Sequence, residues 1–508
     1  MQLTKIILTG CAFVALAAGA QTNSVQSAAP VAAAVPGNTR VLSLEECVKL
    51  ALEHNLDIQI QKFNPAIDRL SINVSYGAYD PTFKFSANAS YSAAPAGIIP
   101  GTTTPYPANI QSASSYTPEI SGSLPTGLTY DLSAPLTDRT GSTVPLGTHW
   151  NSSPGITLRQ PLLKNMWIDN TRYQILLNKT QLKSDELGLR LQIMTTVNSV
   201  KAAYYNLVYA RDNVQVKATA LKLAEQLLTE NRKKVEVGAL APLDEKQAQS
   251  QAASSKADVL AAEQALEAQE NVLKGLITDK FGEWSEITPL PAEPLVAVAP
   301  ELNLQESLRS GVAKRPDYLQ AKVNVERQNI TIRFTKNQMF PELDLTGSYG
   351  RNASDATFDN NLNDIRTGNA PYYSAGVSVS IPLGNVAARN NYKSAKVTAK
   401  QLISQLKKLE QNVVIAIDND VKSIRSDYQR VQATREASEY AKAALEAEQK
   451  KLENGKSTSF VVLQLQSSLT TARSAEIRAL ADYNIAVQQL AFDDGSLLEK
   501  SYIGVTVK

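Results

Sequence analysis

The chain has 508 residues and carries 51 Lys and Arg against 49 Asp and Glu, a net charge of +2. So even a balance excludes a partner held by bulk electrostatics, nucleic acid above all. Aromatics make up only 6%, which is thin for a large compact core and suits long helices with narrow seams.

In chain order, Lys5, the apolar run Ile6–Ala18 and the small residues Ala18-Gly19-Ala20 form an export signal, expected to be cleaved before Gln21. Leu8-Thr9-Gly10-Cys11 imitates a lipidation box, but too few apolar residues precede Cys11 for a full signal core. Cleavage would leave Cys47 alone, with no intrachain disulfide. Residues 21–40 are rich in Ala, Ser and Pro and are expected to be a disordered linker. No later segment has the roughly 18 consecutive apolar residues that a spanning helix needs.

Two similar halves follow, residues 41–282 and 301–492, joined by the Pro-rich linker 283–300 and trailed by a tail, 493–508. Leu42, Leu44, Glu46, Asp57, Lys62, Asn64, Ile72 and Pro81 recur without a gap as Leu302, Leu304, Glu306, Asp317, Lys322, Asn324, Ile332 and Pro341. In each half a helix stops at a proline, Pro81 or Pro341, and an alternating strand begins. After a polar loop a second strand ends at Pro161 or Pro382, where a very long helix starts. Leu163 to Val237 and Leu383 to Asn454 lack proline, and about 70 residues at 1.5 Å each is on the order of 100 Å. Return helices carry heptad seams, Val259, Ala262, Leu266, Leu273 and Leu276 in one and Leu465, Leu469, Ala472, Ala479, Tyr483 and Ala486 in the other. These are antiparallel helical hairpins.

Strands such as Thr82–Tyr91 put Phe83, Phe85 and Tyr91 on one side and Lys84 on the other. That alternation fits any half-buried strand, and it equally fits one that crosses a bilayer with aromatics on the lipid side. Hydrocarbon admits strands only in a closed barrel. Four strands per chain cannot close, because the smallest single-chain barrels have eight. Three copies would give a twelve-stranded wall. A further pair around Pro125-Thr126-Gly127 has a hairpin pattern. We expect a rim extension there, with membership of the barrel as the alternative that would upset the count of four.

The turns Gly238–Asp244 and Gly455–Val461 punctuate the two helical hairpins. Gly238 and Gly455 are helix C-caps, while Pro242, Asp244 and Glu245 suit the first turn of the next helix. Arg315-Pro316-Asp317 is likewise a helix start. Asp418 and Asp420 lie two apart on a helix and do not share a face. Two histidines, His54 and His149, with no Cys/His cluster, no phosphate loop and no nucleophile elbow give no support to an enzyme, a metal or a cofactor.

The pieces Val235–Gln249, Arg315–Ala321, Phe340–Gly350 and Val379–Asn385, by their order, spacing and the duplication, resemble the TolC-like outer membrane factors of Gram-negative efflux and secretion systems. The resemblance covers essentially Leu42–Phe492. It implies a mixed α+β homotrimer with a twelve-stranded outer-membrane β-barrel, long coiled-coil helices forming a periplasmic α-barrel, and an equatorial belt. It also implies passive export of drugs, small molecules or proteins, with an inner-membrane pump and a periplasmic adaptor as partners. The four prolines would stand at the helix-to-barrel junctions, and Gly238, Asp244, Gly455 and Val461 at the periplasmic tip, where the family gates and meets its adaptor. The family follows the turn glycine six residues later with Asp. Asp244 matches, but Val461 stands at the second place, which puts an acidic gate from both turns in question. The rival readings are a soluble periplasmic coiled-coil adaptor and a surface adhesin or stalk.

Overall fold

The computed structural model describes residues 39–106, 108–142, 148–299, 301–368 and 370–501. The expected leader, Cys11 and linker residues 21–38 lie outside them. Strand β1 (Thr39–Leu42) and helices α1 (Leu44–His54) and α2 (Leu56–Tyr76) lead into β2 (Thr82–Ala94). Two short strands, β3 (Gly97–Ile98) and β4 (Pro105–Tyr106), precede β5 (Asn109–Ser123), β6 (Thr129–Ser133) and β7 (Leu136–Gly141). Then come β8 (Thr148–Ser152), β9 (Gly155–Pro161), and the long pair α3 (Asn170–Glu236) and α4 (Pro242–Ile277). After α5 (Phe281–Trp284) and β10 (Thr288–Pro291) the second half runs α6 (Leu304–Lys314), α7 (Pro316–Asn337), β11 (Glu342–Arg351) and β12 (Ala353–Asp355). It ends with α8 (Phe358–Thr367), β13 (Pro371–Ser380), α9 (Val386–Glu453), α10 (Ser459–Asp493) and α11 (Leu497–Lys500).

The halves match in structure as well as in sequence. Helices α1 and α6 have 11 residues each, α2 and α7 have 21 and 22, α3 and α9 have 67 and 68, and α4 and α10 have 36 and 35. Several of the shared residues start helices. The Glu46 N–H bonds to the Ser43 hydroxyl in a capping box, and the Glu306 N–H to Asn303 Oδ1. Asp57 and Asp317 lie in the first turns of α2 and α7.

The helices form a curtain one layer thick. Near the sheet α3 packs against α2 and α7, and α7 against α9; farther along, α3 packs against α4 and α10, and α10 against α9. One long helix therefore runs through both levels and ties them. Three apolar clusters stand in place of one core: one around Tyr204, Met194 and Leu273, one between α9 and α10 around Ile417, Ile424 and Tyr483, and one around Leu227, Leu445 and Val462.

All four expected strands are present, as β2, β9, β11 and β13, and the hairpin around Gly127 pairs into the same sheet. Strand β5 pairs with β2 on one side and with β6 and β7 on the other, and β6 then pairs with β9. The breaks between β6 and β7 and between β8 and β9 fall at Pro135 and Pro154, which lack an N–H to give. Their carbonyls still accept, from Ser153 and Arg351, and the register continues unchanged on either side. The result is a meander of six antiparallel runs, 82–94, 109–123, 129–141, 148–161, 342–355 and 371–380. Four of these runs are the expected strands, and the hairpin supplies the other two. The polar loop expected after β12 contains α8, whose buried Asn361 bonds to Ser152 and to the Trp150 carbonyl.

The described parts of the expected linkers and tail also join the fold. Thr39–Leu42, partly assigned to the first linker, pairs in parallel with Thr288–Pro291 of the second. Prolines fit there because an edge strand leaves their missing donors unneeded. Tyr204 donates to the Leu42 carbonyl at 3.3 Å and accepts from the Glu293 N–H at 3.2 Å, while Tyr483 donates to the Val298 carbonyl. Two tyrosine hydroxyls thus pin the Pro-rich segment to the helices. The tail turns at Gly495 (φ 75°) and buries Leu497 and Leu498 in the Tyr204 cluster.

Replacing Tyr204 with Phe takes one of two donors from the Leu42 carbonyl, which keeps the Ala292 N–H, and leaves the Glu293 N–H without its partner. The expected loss is about 1–3 kcal/mol, read as a lower helix-melting midpoint by circular dichroism in detergent.

Candidate functional site

Continuous register lets each face be followed across the whole sheet. One cross-strand row takes one residue from every run: Phe83, Ile120, Leu132, Ile156, Tyr349 and Tyr373. All six are exposed. The adjacent row on the opposite face is Thr82, Ser121, Asp131, Thr157, Ser348 and Ser374, every one polar. Lys84 lies on this polar face and approaches Glu119 to 3.8 Å. A sheet apolar on one face and polar on the other, with the apolar face bare, is built to stand between hydrocarbon and water. Among the described residues no helix is long and apolar enough to cross a membrane, so any crossing falls to these strands.

Where sheet meets helices, Pro81 and Pro341 immediately precede β2 and β11, Pro161 ends β9 and Pro382 follows β13 by one residue. None lies inside a helix. A polar network absent from the sequence reading ties three of the four chain crossings together. Buried Asn337 accepts from the Asn165 N–H at 2.8 Å and donates to the Leu163 carbonyl, and Gln338 donates to Asn165 Oδ1. Arg172 donates to the Asn165 carbonyl and Asn385 to that of Met339. Asn165 and Asn385 have φ of 66° and 42°, a region that Asn tolerates better than most residues. On the polar face beside this network Arg159 bonds to Asp344 at 2.5 Å and Glu342 at 2.7 Å, with Lys164 3.8 Å from Glu342.

At the far end the two helical turns share one geometry. The Gly238 N–H bonds to the Val235 carbonyl and the Ala239 N–H to that of Lys234; Gly455 and Lys456 do the same with Leu452 and Lys451. Both glycines have positive φ, 75° and 70°, as a left-handed helix cap requires. Asp244 and Val461 each stand in the first turn of the return helix, both half-buried. The two turns are joined by Asn231, which is fully buried: it donates to the Asp244 carbonyl at 3.4 Å and accepts from the Ser459 hydroxyl at 3.0 Å. Its sequence signal is a single amide in the last turns of a helix, which ordinary solvent exposure explains as well.

The description "Outer membrane efflux protein" matches residues 148–278 and 308–496, more than half of the chain. The chain belongs to the outer membrane efflux protein family. It is similar to the outer membrane efflux protein BepC of Brucella suis, 25% identical over 383 residues, which span 73% of this chain and 76% of BepC. Similarity to the outer membrane protein TolC of Vibrio cholerae is 25% over 364 residues, 70% of this chain and 78% of that one. The crystal structure of the Campylobacter jejuni CmeC outer membrane channel shares the fold, with a TM-score of 0.64 at 16% identity over 89% of this chain and 86% of CmeC.

As a member of the efflux protein family, the chain is an outer-membrane conduit reaching into the periplasm, not an enzyme. The apolar row is its lipid face and the polar face its lumen. Among the described residues no group of His, Cys, Asp and Glu is assembled to hold a metal. Cys47 is free and buried, its thiol pushed up to about 12 by burial, which leaves it inert.

The belt between sheet and tip contains a carboxyl pair. Asp493 bonds to Arg315 at 2.6 Å and accepts from Gln489, and Asp420 faces it with Oδ2 buried and without a partner. Burial, then the Asp493 carboxylate, raises Asp420 to about 7, with Arg315 opposing and Asp494 adding to the shift. Asp420 does not share a face with Asp418, as the two-residue spacing demands; the carboxylate it faces, Asp493, ends another helix 73 positions later.

Asn231→Ala is expected to free the tip turns by about 1–3 kcal/mol of local stability, measured as faster amide exchange at residues 231–245 and 455–462. The folded value of Asp420, about 7, lies above its unfolded value of 3.8, so between the two the folded state binds more protons. Stability from this group is full below about 4 and lost as pH rises toward 7. Melting midpoints at pH 5 and pH 8 should therefore differ by less in Asp420→Asn than in the parent chain.

Proposed function

We propose that three copies of this chain close into one channel-tunnel that exports small molecules or proteins passively, driven by an inner-membrane pump through a periplasmic adaptor. The observation that carries this is the two-faced sheet with a free edge on either side. Six runs are still fewer than the eight of the smallest single-chain barrels, so the wall is incomplete without other copies.

The helices support the same reading. Helix α2 is outermost in the curtain, and Leu56, Ile60, Phe63, Ile67, Leu70 and Val74 form a stripe along it at three- and four-residue spacing, 53% to 77% exposed. Such a seam fits a neighbouring helix. The tip turns, with Gly238, Asp244, Gly455 and Val461, are the surface offered to an adaptor and the place where the tunnel narrows. Because Asp244 has no acidic counterpart at Val461, closure there relies on packing and on the Asn231 bridge rather than on a double acidic ring. The prolines at 81, 161, 341 and 382 serve as junctions that stop helix or strand where tunnel becomes barrel. Selectivity rests with the pump, since the chain offers an open lumen in place of an enclosed substrate pocket.

In detergent the protein should run as a trimer and conduct in planar bilayers, more so when the tip is loosened by Asn231→Ala. A stable monomer that never conducts would refute the proposal. Leu345→Arg on the lipid face should cost about 2–4 kcal/mol and deplete the membrane-inserted trimer. Thr346→Arg, one residue on and facing the lumen, should insert almost normally. Heat-resistant trimer in outer-membrane fractions is the readout.

A further inference from the structure

We propose that helix α8 (Phe358–Thr367) lies flat on the lipid side of the wall and seats its bare apolar stripe in the outer leaflet, at the boundary between acyl chains and headgroups. The inference rests on the apolar row being the lipid face.

Alternation decides the side. Register runs unbroken from β11 into β12 and from β9 into β8. Arg351, Ala353 and Asp355 therefore stand on the face of Tyr349, and Trp150 and Ser152 on that of Ile156. This face is bare along the apolar row, yet Ser152 and Ala353 are buried, because α8 covers them. Asn361 accepts from the Ser152 hydroxyl at 2.6 Å and donates to the Trp150 carbonyl at 2.9 Å. The Phe358 ring meets Trp150 edge-on, with centroids 5.6 Å apart. Arg351 donates to the Ile365 carbonyl at 2.9 Å in the last turn, and Gly368 (φ 72°) ends the helix. Thr357 caps the first turn and is itself held by Asp355. Both ends and the middle are tied to the outer face of the sheet, which keeps α8 out of the lumen.

The level follows from strand geometry. A tilted crossing takes roughly 9–11 residues; counted from Leu343, the first apolar residue of β11, it ends between Arg351 and Ala353. The neighbouring run gives the same limit, since Leu162 bonds to Leu343 and the same count leads back to Pro154 or Ser152. The next row outward on this face, Ser114, Asp138, Trp150 and Asp355, is mostly polar. Tyr116, Trp150, Tyr349 and Tyr373 gather near this level, as interfacial aromatics do. Helix α8 thus sits where hydrocarbon gives way to headgroups.

Its sequence suits that place. Phe358, Leu362 and Ile365 form an apolar stripe at four- and three-residue spacing, and Phe358 and Leu362 remain 45% and 38% exposed beside their contacts with the sheet. Asp359, Asn360, Asn363 and Arg366 are exposed on the opposite side. A helix with a bare apolar stripe, a polar back and low net hydrophobicity lies in the interface plane, seated about 5–10 Å into the acyl–headgroup boundary. The stripe is continuous with the lipid face below it, and that continuity selects lipid over a protein partner. Helix α8 is then an outer anchor that fixes how deep the wall sits.

The test places nitroxide labels on single cysteines in the full-length Cys47→Ala chain, at Leu362 and Asn363 of α8 and at Leu345 and Thr346 of β11. The protein is held in vesicles of phosphatidylethanolamine and phosphatidylglycerol. Both α8 positions are exposed, so the labels leave the contacts of Asn361 and Phe358 in place. Collision with oxygen relative to a water-soluble nickel chelate should be at least about threefold higher at Leu362→Cys than at Asn363→Cys, as at Leu345→Cys against Thr346→Cys, because the acyl boundary excludes the chelate. Water-like values at both α8 positions while β11 still alternates would overturn the inference and leave the barrel standing. A Leu362 label shielded from both reagents would also overturn it, as the mark of a protein partner such as a second copy. Loss of alternation at β11 would remove the lipid-face reading and this inference with it. Electron cryo-microscopy of the unaltered protein in nanodiscs is an independent check. Helix α8 touching the edge of the lipid disc supports the inference, and α8 clear of the disc or inside the lumen rejects it.

Discussion

A peptide N–H or C=O facing hydrocarbon without a partner costs several kcal/mol, and much of this chain's architecture answers to that cost. Six strands satisfy one another through the meander but leave two edges, and the edges make the single chain incomplete. The apolar row running from Phe83 to Tyr373 has the same consequence on its own face. It has no partner in the chain because its partner is lipid.

Below the sheet the problem is different and so is the solution. In water the backbone has no such constraint, and helices spanning on the order of 100 Å need only narrow seams to hold them. Helix α3 serves two sets of neighbours, α2 and α7 near the sheet and α4 and α10 near the tip. Three small clusters replace one thick core, in keeping with the low aromatic content. The belt where chain ends and linkers converge is held by individual polar contacts, those of Tyr204, Tyr483 and Arg315.

Junction and tip use buried amides for the same physical reason. Asn337 satisfies backbone groups of a segment far away in sequence, and Asn231 joins the nearby Asp244 carbonyl to the distant Ser459 hydroxyl. An amide can give and accept at once without carrying charge into a buried place. Glycines share the close packing of the wall: a Cβ on Gly155 or Gly350 would collide with Tyr372, which lies across both on the lumen face.

The sequence by itself determined the elements and their order. Apolar period, helix-starting residues such as Glu46 and Glu306, and the prolines where helix or strand stops act locally, so the duplication, the long hairpins and the four junctions were legible. The alternation in β2 or β11 also showed which residues share a face. Tertiary structure alone decided that the hairpin joins the sheet, that residues 39–42 and 288–291 pair, that 497–500 dock, and that Asn231 and Asp420 find partners. These depend on contacts between segments tens to hundreds of residues apart, and one residue's type leaves such pairing open. Pro135 and Pro154 look like strand breakers when read along the chain. Only beside their neighbours is it plain that their carbonyls keep the ladder intact.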